Sequence, residues 1–312
     1  MTLSSRRTIL RGLAGVGAVG LAAFGVTGCS GSTAAEREFV DGLRERLPQI
    51  DGVADAEVRV AKPFAETPKV TIELVGEMSR TPEQVLATAQ EVQATVNGLT
   101  MPDDLSGAVL VARLTQQLGR AKLLLGLAGI DQDTVTAQFE AALAEVDRGA
   151  HTVATGELVQ AEWSLIDEAA LTAPVVGLDN QLIRRATVDQ EATFTVSIRR
   201  GSQAPNLPVA AATAPMLPAV ARDIMLREMD GWQWEVAPHT QDIEDPQLRQ
   251  GSVAMLRALA AAASPVEVKI NKPWWATLTV DRTVQLIRLS GDQAERAEVE
   301  QVITDLLAQV NG

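Results

Sequence analysis

Short runs in which apolar and polar residues alternate, separated by amphipathic helical stretches, limit the folds open to this chain. Val58 and Val60 alternate with Glu57 and Arg59, and Val70, Ile72 and Leu74 alternate with Thr71 and Glu73. Strand side chains point alternately to opposite sides, so runs of this kind belong to a sheet with one buried and one wet face. Phe39, Val40, Leu43 and Leu47 recur at helical spacing and predict a helix near Glu36 to Leu47. Thr81-Pro82-Glu83-Gln84 opens a second helix. Thr81 can cap it, Pro82 suits its first turn, and Gln84 completes a capping box.

The strand–strand–helix order then recurs. Ala108 to Leu114 and Ala121 to Leu127 read as strands around a hairpin at Gln117-Leu118-Gly119-Arg120, and Asp131 starts the next helix. Further strands are expected over Gly156 to Ile166, Thr193 to Arg199, Trp232 to Val236, Val266 to Ile270 and Ala276 to Leu289, the last interrupted at Asp281-Arg282. Helices are expected near Ala219 to Met229, Pro246 to Ala263 and Gln293 to Val310. One echo links the two ends. Glu57-Val58-Arg59-Val60-Ala61-Lys62-Pro63-Phe64 is matched by Glu267-Val268-Lys269-Ile270-Asn271-Lys272-Pro273-Trp274. The expected fold is therefore α+β, a two-layer sandwich of repeated α-β-β-α units with a mostly antiparallel sheet, following a cleaved signal peptide.

The first 29 residues carry a different message. Arg6, Arg7 and Arg11 precede an uncharged run from Gly12 to Val26, which ends at Val26-Thr27-Gly28-Cys29. A basic start, a short apolar core and small residues before a cleavage point make a secretory signal. The run is glycine-rich and falls short of the roughly 20 strongly apolar residues that span a bilayer. Ser5-Arg6-Arg7-Thr8-Ile9-Leu10 resembles the twin-arginine export motif, and Val26-Thr27-Gly28-Cys29 resembles a lipobox. The segment is thus similar to the signal peptide of bacterial lipoproteins. That resemblance implies a diacylglyceryl group on the Cys29 sulfur and cleavage before Cys29, leaving an amine that can take a further acyl chain such as palmitate. It also implies attachment to the extracytoplasmic face of the cell membrane. Ser30 to Ala35 is small and polar, a tether that keeps the folded part close to the lipid.

Composition narrows the function. Cys29 is the one cysteine in 312 residues, so its use for lipid leaves no disulfide, thiolate nucleophile or cysteine metal site. The net charge is −13, and removal of three signal arginines makes the mature part more acidic still. An acidic chain is a poor match for nucleic acid or for an anionic lipid surface. His151 and His239 lack partners at metal-ligand spacing, and neither a nucleophile elbow nor a phosphate-binding Gly-Lys loop occurs. Asp242, Glu244 and Asp245 could offer oxygens to calcium, but acids ahead of Pro246 are better read as helix N-terminal groups, as are Asp131 and Asp133. No cofactor is expected beyond the covalent lipid. All five tryptophans lie from residue 163 onward, and there is no tyrosine. Trp232, Trp234, Trp274 and Trp275 are the candidate ligand or partner surface, with a role in the core as the competing reading.

The sequence divides into a signal peptide (1–28), a lipidated tether (29–36), an N-terminal α+β region (37–204) and a C-terminal α+β region (205–312). The proline-rich stretch 204–218 also fits a long loop within one domain. The expected function is that of a non-catalytic binding or interaction module of the envelope, with a protein or a glycan as partner. A transporter's solute-binding lipoprotein and an envelope hydrolase are the alternatives. We predict that changing Arg6→Lys together with Arg7→Lys stops export although charge is kept. Normal secretion of that double variant, followed by cell fractionation, would reject the twin-arginine reading.

Overall fold

The computed structural model describes residues 32–63, 66–175, 181–189, 192–198, 204–262, 264–290 and 293–312. The export segment, with Arg6, Arg7 and Cys29, lies outside the described residues, as does Phe64. Among the described residues, thirteen strands form one sheet in sequence order. They are β1 (Val53–Ala61), β2 (Lys69–Gly76), β3 (Val109–Leu118), β4 (Ala121–Gly126), β5 (Thr152–Ala154), β6 (Val159–Trp163), β7 (Leu182–Asp189), β8 (Ala192–Ile198), β9 (Ala221–Glu228), β10 (Trp232–Pro238), β11 (Val266–Ile270), β12 (Ala276–Asp281) and β13 (Thr283–Leu289). The helices are α1 (Ala34–Arg46), α2 (Pro82–Asn97), α3 (Gln132–Asp147), α4 (Glu168–Thr172), α5 (Val209–Thr213), α6 (Pro246–Ala260) and α7 (Gln293–Asn311). The protein is an α+β fold with a large, mostly antiparallel sheet.

Two kinds of step alternate across the sheet. Sequential hairpins join β1 to β2, β3 to β4, β5 to β6, β7 to β8, β9 to β10 and β11 to β12 antiparallel. Between hairpins the neighbours are parallel: β2–β3, β4–β5, β6–β7, β8–β9 and β10–β11. A parallel step requires the chain to cross back, and α2, α3, α4, α5 and α6 lie in those crossings. The last step, β12 to β13, is antiparallel again and leads into α7. The stretch 204–218 falls in the crossing between β8 and β9, which pair directly.

Local chemistry explains the element boundaries. The capping box forms: Thr81 accepts from the Gln84 N–H, and the Gln84 side chain accepts from the Thr81 N–H at 2.9 Å. Asp131 caps α3 through the Thr134 N–H at 2.7 Å. Gly119, at a φ of 57°, takes the first place in the two-residue turn between the paired Leu118 and Ala121. Gly126 is needed for a close approach, because a Cβ there would lie 2.7 Å from the Thr155 carbonyl oxygen.

One core runs the length of the molecule. Val58, Ile72, Leu114, Leu123, Val153, Ala161, Ala186, Val196, Leu226, Trp234, Val268 and Leu278 are buried on one sheet face. They share a single cluster with Val85, Val135, Leu256 and Ile303 from the helices.

The structure changes two sequence expectations. Residues 221–228 form a strand where a helix was expected. Ile224 and Leu226 alternate inward, and pairing with β8 on one side and β10 on the other overrides the helix preference of Met225, Leu226 and Glu228. The strand expected over Gly156 to Ile166 is shorter, β6 at Val159–Trp163, and it pairs with β5, which lies ahead of that span and was not expected, with Gly156 in the turn between them.

The echoed segments β1 and β11 each lead a hairpin. Val58 and Val268 are fully buried, while Glu57, Arg59, Glu267 and Lys269 alternate to the other side. Lys62-Pro63 and Lys272-Pro273 lie just past the strand ends, where the missing proline donor does no harm. Ile270 is buried but Val60 only partly so, because β1 has a neighbour on one side alone. We predict that Val58→Asp or Val268→Asp buries an unpaired charge and destabilises by several kcal/mol, roughly 3 or more. Glu57→Gln and Glu267→Gln should cost under about 1 kcal/mol. Thermal melts of the four variants without residues 1–29 check this, and equal losses would overturn the register.

Candidate functional site

One face of the sheet is covered by helices, and the other carries the polar half of every strand. Twelve steps between thirteen strands, at about 4.8 Å each, make this open face roughly 58 Å wide. Its side chains line up in rows across the strands. One row runs Lys122, Thr152, Glu162, Arg185, Thr195, Met225, Glu235, Lys269, Thr277 and Arg288. The neighbouring row begins mixed, with Val75, Thr115, Leu124, Ala154, Gln160 and Ile183, and ends polar, with Ser197, Arg227, Gln233, Glu267 and Thr279.

The polar end is tied together. Arg227 donates to the Gln233 Oε1 at 2.7 Å and pairs with Glu235 at 2.6 Å. Gln233 donates to Glu267 at 2.5 Å, and Asn271 donates to Glu235 at 2.9 Å. Thr193 donates to Asp223. Thr195, Ser197 and Gln233 on this face are each less than 10 % exposed. A network in which each member has a partner holds its side chains in fixed positions. This end of the face is thus held in place as well as polar.

Charge is distributed unevenly over the molecule. On the open face, Asp55, Glu57, Glu73, Glu162, Asp223, Glu235, Glu267 and Asp281 are balanced by Arg59, Lys69, Arg113, Lys122, Arg185, Arg227, Lys269 and Arg288. The chain as a whole is at −13. Its acidic excess includes exposed residues of the helices, such as Glu83, Glu91, Glu140, Glu298 and Asp305.

The tryptophans fall elsewhere. Trp232 and Trp234 share a side of β10, as their spacing predicts, but it is the helix-covered side. Trp234 is fully buried against Phe194, with ring centroids 5.5 Å apart. Trp274 is fully buried and donates to the Ile243 carbonyl at 3.0 Å. These two belong to the core and cannot form a partner surface. Trp232 is partly buried, and Trp275, in the turn before β12 at a φ of 46°, is 44 % exposed. Of the four, Trp275 alone has a broad exposed surface.

The remaining candidates are structural. His151 and His239 are exposed, and the His239 Nε2 lies 3.0 Å from the Pro218 carbonyl oxygen. Asp245 caps α6, accepting from the Gln247 N–H at 2.8 Å and the Leu248 N–H at 3.0 Å. These amide donors hold its carboxyl below the usual carboxylate range. The Thr134 hydrogen bonds do the same for Asp131. Among the described residues, no group of three or more His, Cys, Asp or Glu is arranged to hold a metal ion. A hollow of about 490 Å³ lies in the helix layer, lined by Glu168, Asn206, Pro208, Ala211, Ala258, Ala261 and Ala262.

The feature that sequence reasoning missed is a buried ion pair. Arg184 on β7 and Glu145 on α3 form a fork, Nε to Oε2 and Nη2 to Oε1, both at 2.8 Å. Arg148 adds a third donor to Glu145 at 2.7 Å. Arg184 Nη1 also donates to the Leu171 and Ala173 carbonyls, so one guanidinium joins β7, α3 and the end of α4. The available signal was parity: Arg184 stands between Leu182 and Ala186 on the inward side of its strand.

No family model, curated protein or solved structure matches this chain.

Removing one partner of a buried pair leaves the other charge stranded, typically at a loss of about 3–5 kcal/mol. We predict a loss of that order for Arg184→Met. Adding Glu145→Leu to it should recover much of the stability. Urea unfolding of the single and double variants checks this, and a single variant no weaker than the double would refute it.

Proposed function

We propose that this chain is a lipoprotein held on the extracytoplasmic face of the membrane by lipid on Cys29, and that it acts as a non-catalytic binding module of the envelope. The open face of its sheet is the docking surface. The observation that carries this reading is the charge pattern: a broad, charge-balanced face on an otherwise acidic chain. Exposed acids on the helices would repel a second acidic macromolecule, while the open face offers paired donors and acceptors without net repulsion. A continuous sheet in sequence order supports this reading over a solute-binding protein with a cleft between two lobes. The hairpins and crossing helices also support descent from repeated α-β-β-α units, with β1 and β11 as equivalent strands.

The start of α1 agrees with anchoring at one rim. Lys62, just beyond β1, pairs with Glu36 in the first turn of α1 at 2.5 Å. The start of α1 therefore sits beside the β1–β2 turn. Four residues from Cys29 to Thr33 reach at most about 14 Å. The β1–β2 rim would then face the lipid, and the open face would stand across the membrane plane, accessible from the side. Two acyl chains make such an anchor stable where one would be marginal.

Two measurements test the proposal. Intact mass of the membrane-extracted protein should show a diacylglyceryl-modified N-terminal Cys29, and Cys29→Ala should release the protein or leave it unprocessed. A photo-crosslinking residue at Arg185, on the open face, should capture an envelope partner, while the same residue at Glu140, on the outer side of α3, should not. Equal capture from both positions would remove the open face as the docking surface. An unmodified thiol on the membrane-bound mature protein would remove the anchor.

A further inference from the structure

An open sheet of thirteen strands has two edges, β1 and β13. Each presents backbone N–H and C=O groups that a strand from another molecule could pair with. In both cases a side chain of this chain occupies that position. At the β13 edge, Asn311 from the last turn of α7 bonds Val284 twice. The Val284 N–H donates to Asn311 Oδ1 at 2.9 Å, and Asn311 Nδ2 donates to the Val284 carbonyl at 2.9 Å. A carboxamide has the donor and acceptor of a peptide unit, so Asn311 reproduces the two bonds that a neighbouring strand would make. Among the described residues β12 is the one strand neighbour of β13, so these Val284 groups, bonded to Asn311, point outward from the sheet. At the β1 edge, Arg44 of α1 donates to the Val58 carbonyl at 3.1 Å. Both edge strands also carry an irregular register, between Val53 and Asp55 in β1 and opposite Thr277 and Leu278 in β13. Bulges of this kind twist an edge away from regular pairing.

We infer that Asn311 and Arg44 are plugs that keep the two sheet edges from pairing with a second copy of this chain. The occupant excluded is a second copy because copies held on one membrane meet repeatedly, with the same edges exposed. Ile287, the residue at the β13 irregularity, is 55 % exposed, so a strand laid along the rest of this edge would gain apolar contact there. With the β13 edge alone unplugged, that edge can meet only its own counterpart about a two-fold axis, and association stops at a dimer. With both edges unplugged, β1 of one copy can also meet β13 of the next, and growth need not close.

Sedimentation velocity on residues 30–312 tests the inference. The wild type is expected to be monomeric at all concentrations. Asn311→Ala should double the mass as concentration rises. Asn311→Asp, which keeps the acceptor but loses the donor, should dimerise less than Asn311→Ala. Arg44→Ala should dimerise through the other edge, and the two alanine changes together should give species larger than dimers. Adding Ile287→Lys to Asn311→Ala places a charge on the reopened edge and should restore the monomer. Far-ultraviolet circular dichroism establishes that each variant is folded. Should Asn311→Ala fail to fold, Arg44→Ala still decides, since Arg44 is about half exposed and its loss disturbs little packing. Folded variants that stay monomeric would overturn the inference, as would a wild type that already associates to the same extent as Asn311→Ala.

Discussion

Burial on one side only is the constraint on which this structure depends. Each strand sends alternate side chains into a core shared with the helices, and among the described residues the sheet is continued strand by strand without a second helical layer. Val58, Leu114, Val196 and Leu278 lie far apart in sequence yet do the same work, because strand periodicity leaves each of them on the inward side. The same periodicity forces Arg59, Arg113, Thr195 and Thr279 outward. The open face is therefore a direct product of the pattern that makes the core. Arg184 is the exception that tests the rule. A charge at an inward position survives because Glu145 neutralises it and, with two carbonyls, accepts four of its hydrogen bonds.

Electrostatics then separate the two sides. The helices carry exposed acids and cap their first turns with Thr81, Asp131 and Asp245, where the N-terminal amides favour negative charge. The sheet face pairs its charges across strands, as Arg227 with Glu235 shows. One side of the molecule is therefore acidic and the other close to charge balance. Cross-strand networks also hold the polar end of the open face in fixed positions, and fixed side chains lose less entropy when a surface is bound, as proposed for this face.

An open sheet of this width brings a hazard with its advantage. The wider the face, the more strands must be added, yet two edges always remain. Here the terminal helices deal with both, α1 at β1 and α7 at β13. The chain ends thus serve more than packing. α1 also fixes where the proposed lipid tether leaves the fold, through Glu36 and Lys62.

Much of this was legible in the amino-acid sequence because it is local. The capping box at Thr81 and Gln84, the Asp131 and Asp245 caps, the turn at Gly119 and the break at Arg282 all depend on residues within a few positions of each other. The inward positions Val58, Ile72, Val268 and Ile270 followed from alternation alone. Tertiary structure decided the rest. Residues 221–228 could satisfy either a helix or a strand, and only the presence of β8 and β10 on either side made them a strand. Adjacent tryptophans at 274 and 275 look alike in sequence, yet one is sealed in the core and the other is exposed, because a turn and the Ile243 carbonyl settle their directions. The pairing of Glu145 with Arg184, 39 residues apart, and the plugging of Val284 by Asn311, 27 residues apart, required the folded chain. Alternation fixes which side of a strand a residue occupies. What stands next to it depends on how distant segments come together, and a one-dimensional pattern does not encode that neighbour.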